Sequence, residues 1–140
     1  MGDEAQLKGT VLVVDDQPLV ARMVARLLRL RGIDCETHLR AFGLLNRIAD
    51  LKPALVLLDV EMPGIDGSSL AALIRQDPAL SGCRIVLHSG LPEAELARIA
   101  SSCGADGYLP KGPAMVGLLR TVTQWLRDPS ASRHAARSNL

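Results

Sequence analysis

Short runs of strand-forming residues alternate along the chain with longer segments in which apolar residues recur every three or four positions. Val11–Val14 is such a run, and further strands are predicted at Ile33–His38, Ala54–Leu58, Ile85–His88 and Gly107–Leu109. Continuous apolar runs are typical of parallel strands that are buried on both faces. Five strands alternating with five helices therefore predict an α/β fold, with helices covering both faces of a parallel sheet.

The predicted helices are recognised by apolar residues on one side. The first helix begins at Pro18 and ends at Gly32, the third begins at Ser68, and the fourth begins at Pro92. Proline in the first turn and glycine just after the last turn are common helix boundaries. The residues expected to face the core are Val20, Met23, Val24, Leu27 and Leu28, then Phe42, Leu45, Ile48 and Ala49, then Leu70, Leu73 and Ile74, then Leu96, Ile99 and Ala100, then Met115, Leu118, Leu119, Val122 and Leu126.

Four charged side chains come directly after predicted strands. Asp15 and Asp16 follow the first strand, Asp59 follows the third, and Lys111 comes just after the fifth. The carboxyl ends of parallel strands lie along one edge of a sheet, and ligands bind in the crevice there. We therefore expect these four charges to meet in one pocket.

The three carboxylates need positive charge nearby. Two unit charges about 4 Å apart repel each other by roughly 4 kcal/mol at an effective dielectric constant of ~20. Lys111 supplies one compensating charge, and a bound divalent cation would supply the rest. The pattern favours a site for a hard metal ion and, with it, a phosphate group.

Composition narrows the classes of protein to consider. The 140 residues are 48% hydrophobic and 22% charged, which is typical of a single soluble domain. We expect that domain to span residues 8–127, with residues 128–140 as a polar, disordered tail. The net charge of +1 gives no indication of a nucleic-acid surface, and the apolar runs are too short to span a membrane. Three cysteines without metal-ligand spacing predict reduced thiols in a cytoplasmic protein.

Five ordered motifs together resemble a known family, the receiver domain of bacterial two-component response regulators. The resemblance covers roughly residues 8–127 and is to the single-domain, chemotaxis-regulator type. It implies a flavodoxin-like sheet with strand order 2-1-3-4-5 and five helices. The motifs are Val13-Val14-Asp15-Asp16, Leu57-Leu58-Asp59, Met62-Pro63-Gly64-Ile65-Asp66-Gly67, Ser89-Gly90 and Gly107-Tyr108-Leu109-Pro110-Lys111.

The resemblance assigns chemical roles to the acidic residues. It implies that Asp59 accepts a phosphoryl group from a histidine kinase or a phosphotransfer protein. Asp15, Asp16, Asp59 and the backbone carbonyl of Glu61 would hold Mg²⁺. Outside this context, the Asp15-Asp16 pair is more often a helix cap ahead of Pro18, and Asp59 is a strand-end residue that caps a loop.

The resemblance also implies a switch. Lys111 would pair with the acidic pocket and then with the phosphoryl oxygens, and Ser89 would donate a hydrogen bond to one of them. Tyr108 would turn inward as Ser89 moves, which changes the surface formed by helix 4, strand 5 and helix 5. That surface would bind a downstream protein or mediate a homodimer. The chain would assist its own phosphorylation and dephosphorylation without acting as an enzyme on a metabolite.

The loop after Lys111 departs from the family pattern, in which proline directly follows the lysine through a cis peptide. Here Gly112 follows, and then Pro113. A cis bond without proline costs about 2.5–4 kcal/mol, so we expect Lys111-Gly112 to be trans and any cis bond to fall at Gly112-Pro113. We also expect Lys111 to reach Asp59, because no other cation is placed to compensate the pocket.

Three alternatives remain open at this point. The first is a receiver-like scaffold that binds partners without phosphorylation, which the Gly112 departure favours. A phosphatase with an aspartate nucleophile would use a second acid at the position of Glu61, but the chain has no insertion large enough for a cap domain. The sequence is also compatible with a fragment of a longer regulator. His88 is interpreted as a partly buried, hydrogen-bonded residue and not as a metal ligand.

Overall fold

The computed structural model describes residues 9–80, 82–112, 115 and 117–127, and in that part of the chain strands and helices alternate. One parallel sheet has the strand order 2-1-3-4-5. Its strands are β1 (Val11–Val14), β2 (Cys35–His38), β3 (Leu55–Asp59), β4 (Arg84–Ser89) and β5 (Gly107–Pro110). The helices are α1 (Pro18–Leu30), α2 (Leu44–Leu51), α3 (Gly67–Gln76), α4 (Glu93–Cys103) and α5 (Leu118–Arg127). The predicted flavodoxin-like topology is confirmed. The tail at residues 128–140 lies outside the described residues.

Two apolar cores cover the two faces of the sheet. Because side chains alternate along a strand, Leu12 and Val14 face one core, and Val11 and Val13 face the other. Helices α2, α3 and α4 pack on the first face, and α1 and α5 pack on the second. Both faces of β1 are therefore buried, as its unbroken apolar sequence predicts.

The structure corrects several residues of the predicted helix stripes. Phe42 is 83% exposed, because α2 begins only at Leu44 after the left-handed turn at Gly43. Leu44 and Ile48 fill the core there, while Ala49 is exposed. Met23 and Leu73 are also exposed. On α1 and α3, alanines occupy part of the buried face, and the larger side chains of Met23 and Leu73 point outward. The buried alanines are Ala21, Ala25 and Ala71.

Strand boundaries differ from the prediction in ways that matter for the site. Ile33 is buried but is not in β2, because its backbone N–H bonds to the Leu28 carbonyl in the turn that ends α1. Strands β3 and β4 each run one residue further than predicted. Asp59 and Ser89 are therefore the last residues of regular strands, and the sheet fixes their backbones.

Helix α3 begins at Gly67, one residue before the predicted start, with Asp66 as its N-cap. The Asp66 Oδ1 atom accepts hydrogen bonds from the Ser69 backbone N–H at 2.9 Å and from the Ser68 hydroxyl. These two hydrogen bonds, that from Ser68 foremost, lower the pKa of the Asp66 carboxyl. The cap satisfies a backbone donor that the helix itself leaves unpaired.

A partly buried ion pair connects the end of α3 to β4 and β5. Arg75 pairs with Asp106 and donates hydrogen bonds to the carbonyls of Gly104 at 2.9 Å and Cys83 at 2.8 Å. Asp106 also accepts the Ile85 backbone N–H at 2.8 Å. One guanidinium thus holds the two loops that lead into these neighbouring strands.

The single tryptophan of the sequence belongs to the core under α5. Trp125 is buried, and the guanidinium carbon of Arg84, at the start of β4, lies 5.3 Å from the ring centroid. This cation–π geometry joins α5 to the sheet. Among the described helices, none is long and apolar enough to cross a membrane.

Candidate functional site

The predicted acidic residues meet at the carboxyl edge of the sheet. Asp15 follows β1, Asp59 ends β3, and each offers a carboxylate oxygen to a cluster that Asp16 completes. The contributing oxygen atoms of the three residues all lie within 4.8 Å of one another. The parallel arrangement of β1 and β3 accounts for this convergence of residues far apart in sequence.

Lys111 points into this acidic cluster, as predicted. Its Nζ atom lies 2.8 Å from Asp15 Oδ2 and 3.5 Å from Asp59 Oδ2. The backbone contributes to this position, since the Lys111 N–H donates to the Ser89 carbonyl at 2.7 Å. The Lys111-Gly112 bond is trans, which confirms the prediction, whereas Pro113 lies outside the described residues.

Asp59 is a buried carboxylate, with 4% of its surface exposed. Burial raises the pKa of Asp59 above its ordinary value, and the negative charges of Asp15 and Asp16 raise it further. A hydrogen bond of 3.1 Å from the Glu61 backbone N–H to Asp59 Oδ1, together with the charge of Lys111, opposes this rise. The pocket therefore holds more negative charge than its one lysine offsets, which favours a bound cation.

The donor set suits a small hard cation. Mg²⁺ prefers one or two carboxylates together with water and phosphate oxygens, and Asp15, Asp16 and Asp59 present carboxylate oxygens close together. Asp15 Oδ1 is also fixed by the backbone N–H of Gln17 at 3.0 Å. The Glu61 side chain is exposed, and the role of its backbone carbonyl as a ligand stays a prediction.

The two predicted switch residues lie on β4 and β5. Ser89 is buried, and its Oγ atom accepts a hydrogen bond from the Leu91 backbone N–H at 3.1 Å. Tyr108 is 3% exposed and is part of the core that α4 covers. Its ring lies inward in this structure, and its part in switching stays a prediction.

Gly67 supports the site in a way that the sequence analysis missed. A Cβ atom at this position would lie 2.2 Å from the Asp59 carbonyl oxygen and 2.8 Å from Val60 Cα. The Gly67 N–H donates to the Val60 carbonyl at 2.7 Å, so α3 begins directly against the end of β3. The sequence analysis used Met62–Gly67 as one of the five family motifs and assigned no role to its last glycine.

The sequence predicted His88 as a partly buried residue at the end of a strand, but it did not indicate that His88 lies next to Asp59. It is buried and is the register partner of Asp59 across β3 and β4. Burial, reinforced by the charge of Lys111 and opposed by that of Asp15, lowers the pKa of His88 to about 4. A neutral imidazole therefore stands beside the acidic cluster at neutral pH.

These observations define a class of protein: an open α/β domain with a cation-binding acidic crevice at the carboxyl edge of its parallel strands. A family model described as the response regulator receiver domain matches residues 11–123. The chain therefore belongs to the response regulator receiver domain family, in which phosphorylation and Mg²⁺ are typical.

Individual relatives agree with this assignment. The chain is 34% identical over 104 residues to Protein PilG of Pseudomonas aeruginosa, covering 72% of this chain and 75% of PilG. It is 32% identical over 105 residues to the DNA-binding response regulator MtrA of Mycolicibacterium smegmatis, covering 75% of this chain but only 45% of MtrA. A solved putative response regulator from Chloroflexus aurantiacus superposes with a TM-score of 0.78 at 28% identity, covering 86% of this chain and 98% of that one.

Proposed function

We propose that this chain is a phospho-acceptor, with Asp59 as the residue that takes a phosphoryl group from a histidine kinase or a phosphotransfer protein. The observation that carries the proposal is the position of the Asp59 carboxylate, buried at a strand end with Lys111 Nζ 3.5 Å away. A carboxylate is a competent nucleophile toward phosphorus, and aspartyl phosphates are established covalent intermediates. Three free, buried cysteines agree with a reducing compartment such as the cytoplasm.

The residues of the pocket divide the work of transfer. An Asp59 carboxylate oxygen forms the new bond to phosphorus while the bond from phosphorus to the donor nitrogen breaks, and the nitrogen keeps that electron pair. Lys111 offsets the charge on the phosphoryl oxygens. Asp15, Asp16 and Asp59 would hold Mg²⁺, which supplies further positive charge to the transferred group.

Switching would follow from the charge of the new group. A phosphoryl group carries about −1.5 to −2 charges, and Ser89 on β4 is the predicted hydroxyl donor to it. Movement of the Ser89 Oγ atom toward the phosphoryl group would break the hydrogen bond that this atom accepts from the Leu91 N–H. We infer that the loop after β4 then shifts, which alters the face formed by α4, β5 and α5 and offers it to a downstream protein or a second copy.

Phosphorylation can be tested by intact-mass measurement. The protein is incubated with Mg²⁺ and acetyl phosphate, and one phosphoryl adduct is expected. The adduct should disappear in Asp59→Asn and persist in Asp50→Asn, which changes an exposed acid on α2. An undiminished adduct in Asp59→Asn would refute the assignment, and no adduct in the wild type would favour the unphosphorylated scaffold.

The role of Lys111 needs a separate measurement, because the adduct can form without a switch. Nuclear magnetic resonance spectra of Lys111→Ala, recorded before and after phosphorylation, should show the shifts near Asp59 but lose those on α4 and α5. Wild-type shifts on those helices in the variant would show that Lys111 does not transmit the signal.

A further inference from the structure

The buried imidazole of His88 lies between the strand that ends at Asp59 and the strand that leads to Lys111. In the sheet register, His88 of β4 pairs with Asp59 on one side and with Leu109 on the other. Register partners in a parallel sheet point to the same face, and Leu109 belongs to the core that α1 and α5 cover. The His88 side chain therefore projects from the face of the sheet that Asp59 shares.

Lys111 has to cross β4 to reach the acidic cluster. Strand β4 lies between β5 and β3, and neighbouring strands are about 4.8 Å apart, yet the Lys111 Nζ atom lies 3.5 Å from Asp59 Oδ2. Lys111 comes two positions after Leu109, which is a register partner of His88. The lysine side chain therefore crosses the end of β4 on the face from which the His88 ring projects.

The charges of the site act on the His88 ring. Burial is the largest cause of the lowered pKa of His88, the positive charge of Lys111 is the second, and the negative charge of Asp15 opposes both. Lys111 and Asp15 are the two groups that form the 2.8 Å ion pair. The imidazole is thus within electrostatic range of both members of that pair, and as a neutral ring it does not repel the ammonium group.

Packing alone does not account for an imidazole at this position. His88 is 3% exposed, and its ring nitrogens form no hydrogen bond with another residue in the described ranges. A buried polar group without a partner costs stability, and an aliphatic residue, as elsewhere in β4, would avoid that cost. The Lys111 ammonium has three N–H donors, and its contacts with Asp15 and Asp59 engage two at most. A neutral imidazole can accept the third.

We propose that His88 is a positioning residue for phosphotransfer, whose neutral imidazole keeps the Lys111 ammonium within reach of the phosphoryl oxygens on Asp59. In this structure the Asp15 carboxylate holds the ammonium. When the phosphoryl group arrives and Lys111 turns toward its oxygens, a ring nitrogen of His88 accepts an N–H that Asp15 releases. The inference rests on the role proposed for Asp59 and assigns a residue that supports it through Lys111.

The first measurement is the rate at which the phosphoryl adduct forms with Mg²⁺ and acetyl phosphate, followed by intact mass. His88→Phe keeps a planar ring, His88→Leu keeps an apolar side chain, and neither has an acceptor nitrogen. Both should be phosphorylated about tenfold more slowly than the wild type, the effect of one hydrogen bond to a charged group. His88→Gln keeps an acceptor and should recover to within about threefold of the wild-type rate.

The second measurement observes Lys111 itself. The chain has three lysines, Lys8, Lys52 and Lys111, so protein labelled with ¹³C-lysine gives three Cε resonances, and the one lost in Lys111→Arg is assigned. In the phosphorylated protein, this resonance should differ between the wild type and His88→Phe. Val86→Ala removes buried volume from the same face of β4, so it should lower the melting temperature while leaving the resonance and the rate unchanged.

The outcomes separate the inference from the function on which it rests. The melting temperature of each variant first establishes that it is folded. A phosphorylated wild type that His88→Phe and His88→Leu match in rate and in the Lys111 resonance would overturn the inference alone. Failure of His88→Gln to recover, or an equal loss in Val86→Ala, would also overturn it, because the effect would then be one of packing. No adduct in the wild type would overturn the proposed function and this inference with it.

Discussion

The buried imidazole of His88 predicts a loss of stability in mild acid. Its pKa is lowered from 6.5 to about 4 in the folded protein, so the unfolded chain binds the proton more readily between these values. The stability that the neutral imidazole contributes is complete above pH 6.5 and is lost as the pH falls toward 4. A difference of about 2.5 pKa units corresponds to about 3 kcal/mol in total.

The measurement is the free energy of unfolding by urea at pH 7 and at about pH 4.5, where roughly 2.5 kcal/mol of the effect should be lost. Asp59 has the opposite effect on stability. Because its pKa is raised in the folded protein, the folded state binds a proton more readily than the unfolded chain, and this stabilises the fold as the pH falls. The decisive quantity is therefore the change with pH in the wild type minus that in His88→Gln, which removes the imidazole and leaves Asp59 in place.

We expect the wild type to lose about 2.5 kcal/mol more than His88→Gln over this interval. His88→Leu should give the same difference, because it also lacks a titrating group. Parallel pH curves for the wild type and both variants would show that His88 is not the buried neutral base inferred from its position.

Three further predictions concern packing. Gly67→Ala should destabilise the protein by about 1–3 kcal/mol and slow phosphorylation of Asp59, because the new Cβ atom would clash with the backbone of Asp59 and Val60. Gly82→Ala, where the space around the glycine is open, is the control in both assays. Asp106→Ala should cost about 3 kcal/mol in urea unfolding, because it removes the buried carboxylate that pairs with the partly buried Arg75. Glu36→Ala breaks an exposed pair and should cost under about 1 kcal/mol. Burial raises the pKa of the Cys35 thiol to about 11, so iodoacetamide at neutral pH should label it far more slowly in native than in urea-unfolded protein; equal rates would contradict its burial.

The sequence was sufficient to predict the parts of the fold that depend on the spacing of apolar residues and on the connection of parallel strands. An unbroken run of β-branched and apolar residues such as Val11–Val14 is typical of a central strand, and a parallel sheet then brings Asp15, Asp59 and Lys111 to one edge. The contact of Lys111 with this cluster followed from its position just after a strand and from charge, since three carboxylates needed a nearby cation.

The remaining features depend on contacts between segments distant in sequence. Nothing local to Gly67 shows that the carbonyl of Asp59 occupies the space of its missing side chain. The pairing of Arg75 with Asp106 spans 31 positions and requires the sheet to exist first. Phe42 was predicted to lie in the core because it fits the helical spacing of large apolar residues. In the structure, α2 begins two residues after Phe42, at Leu44, and the Phe42 side chain is exposed.

The buried Trp125 gives this protein a built-in optical reporter. With one tryptophan in the sequence, all indole emission comes from α5, where the ring packs under Arg84 of β4. A change in that emission on adding a phosphodonor would therefore register displacement of α5 from the sheet, without a label and without a contribution from another indole. The same signal reports unfolding, so a single unmodified sample can give both the extent of the conformational response and the stability of the domain.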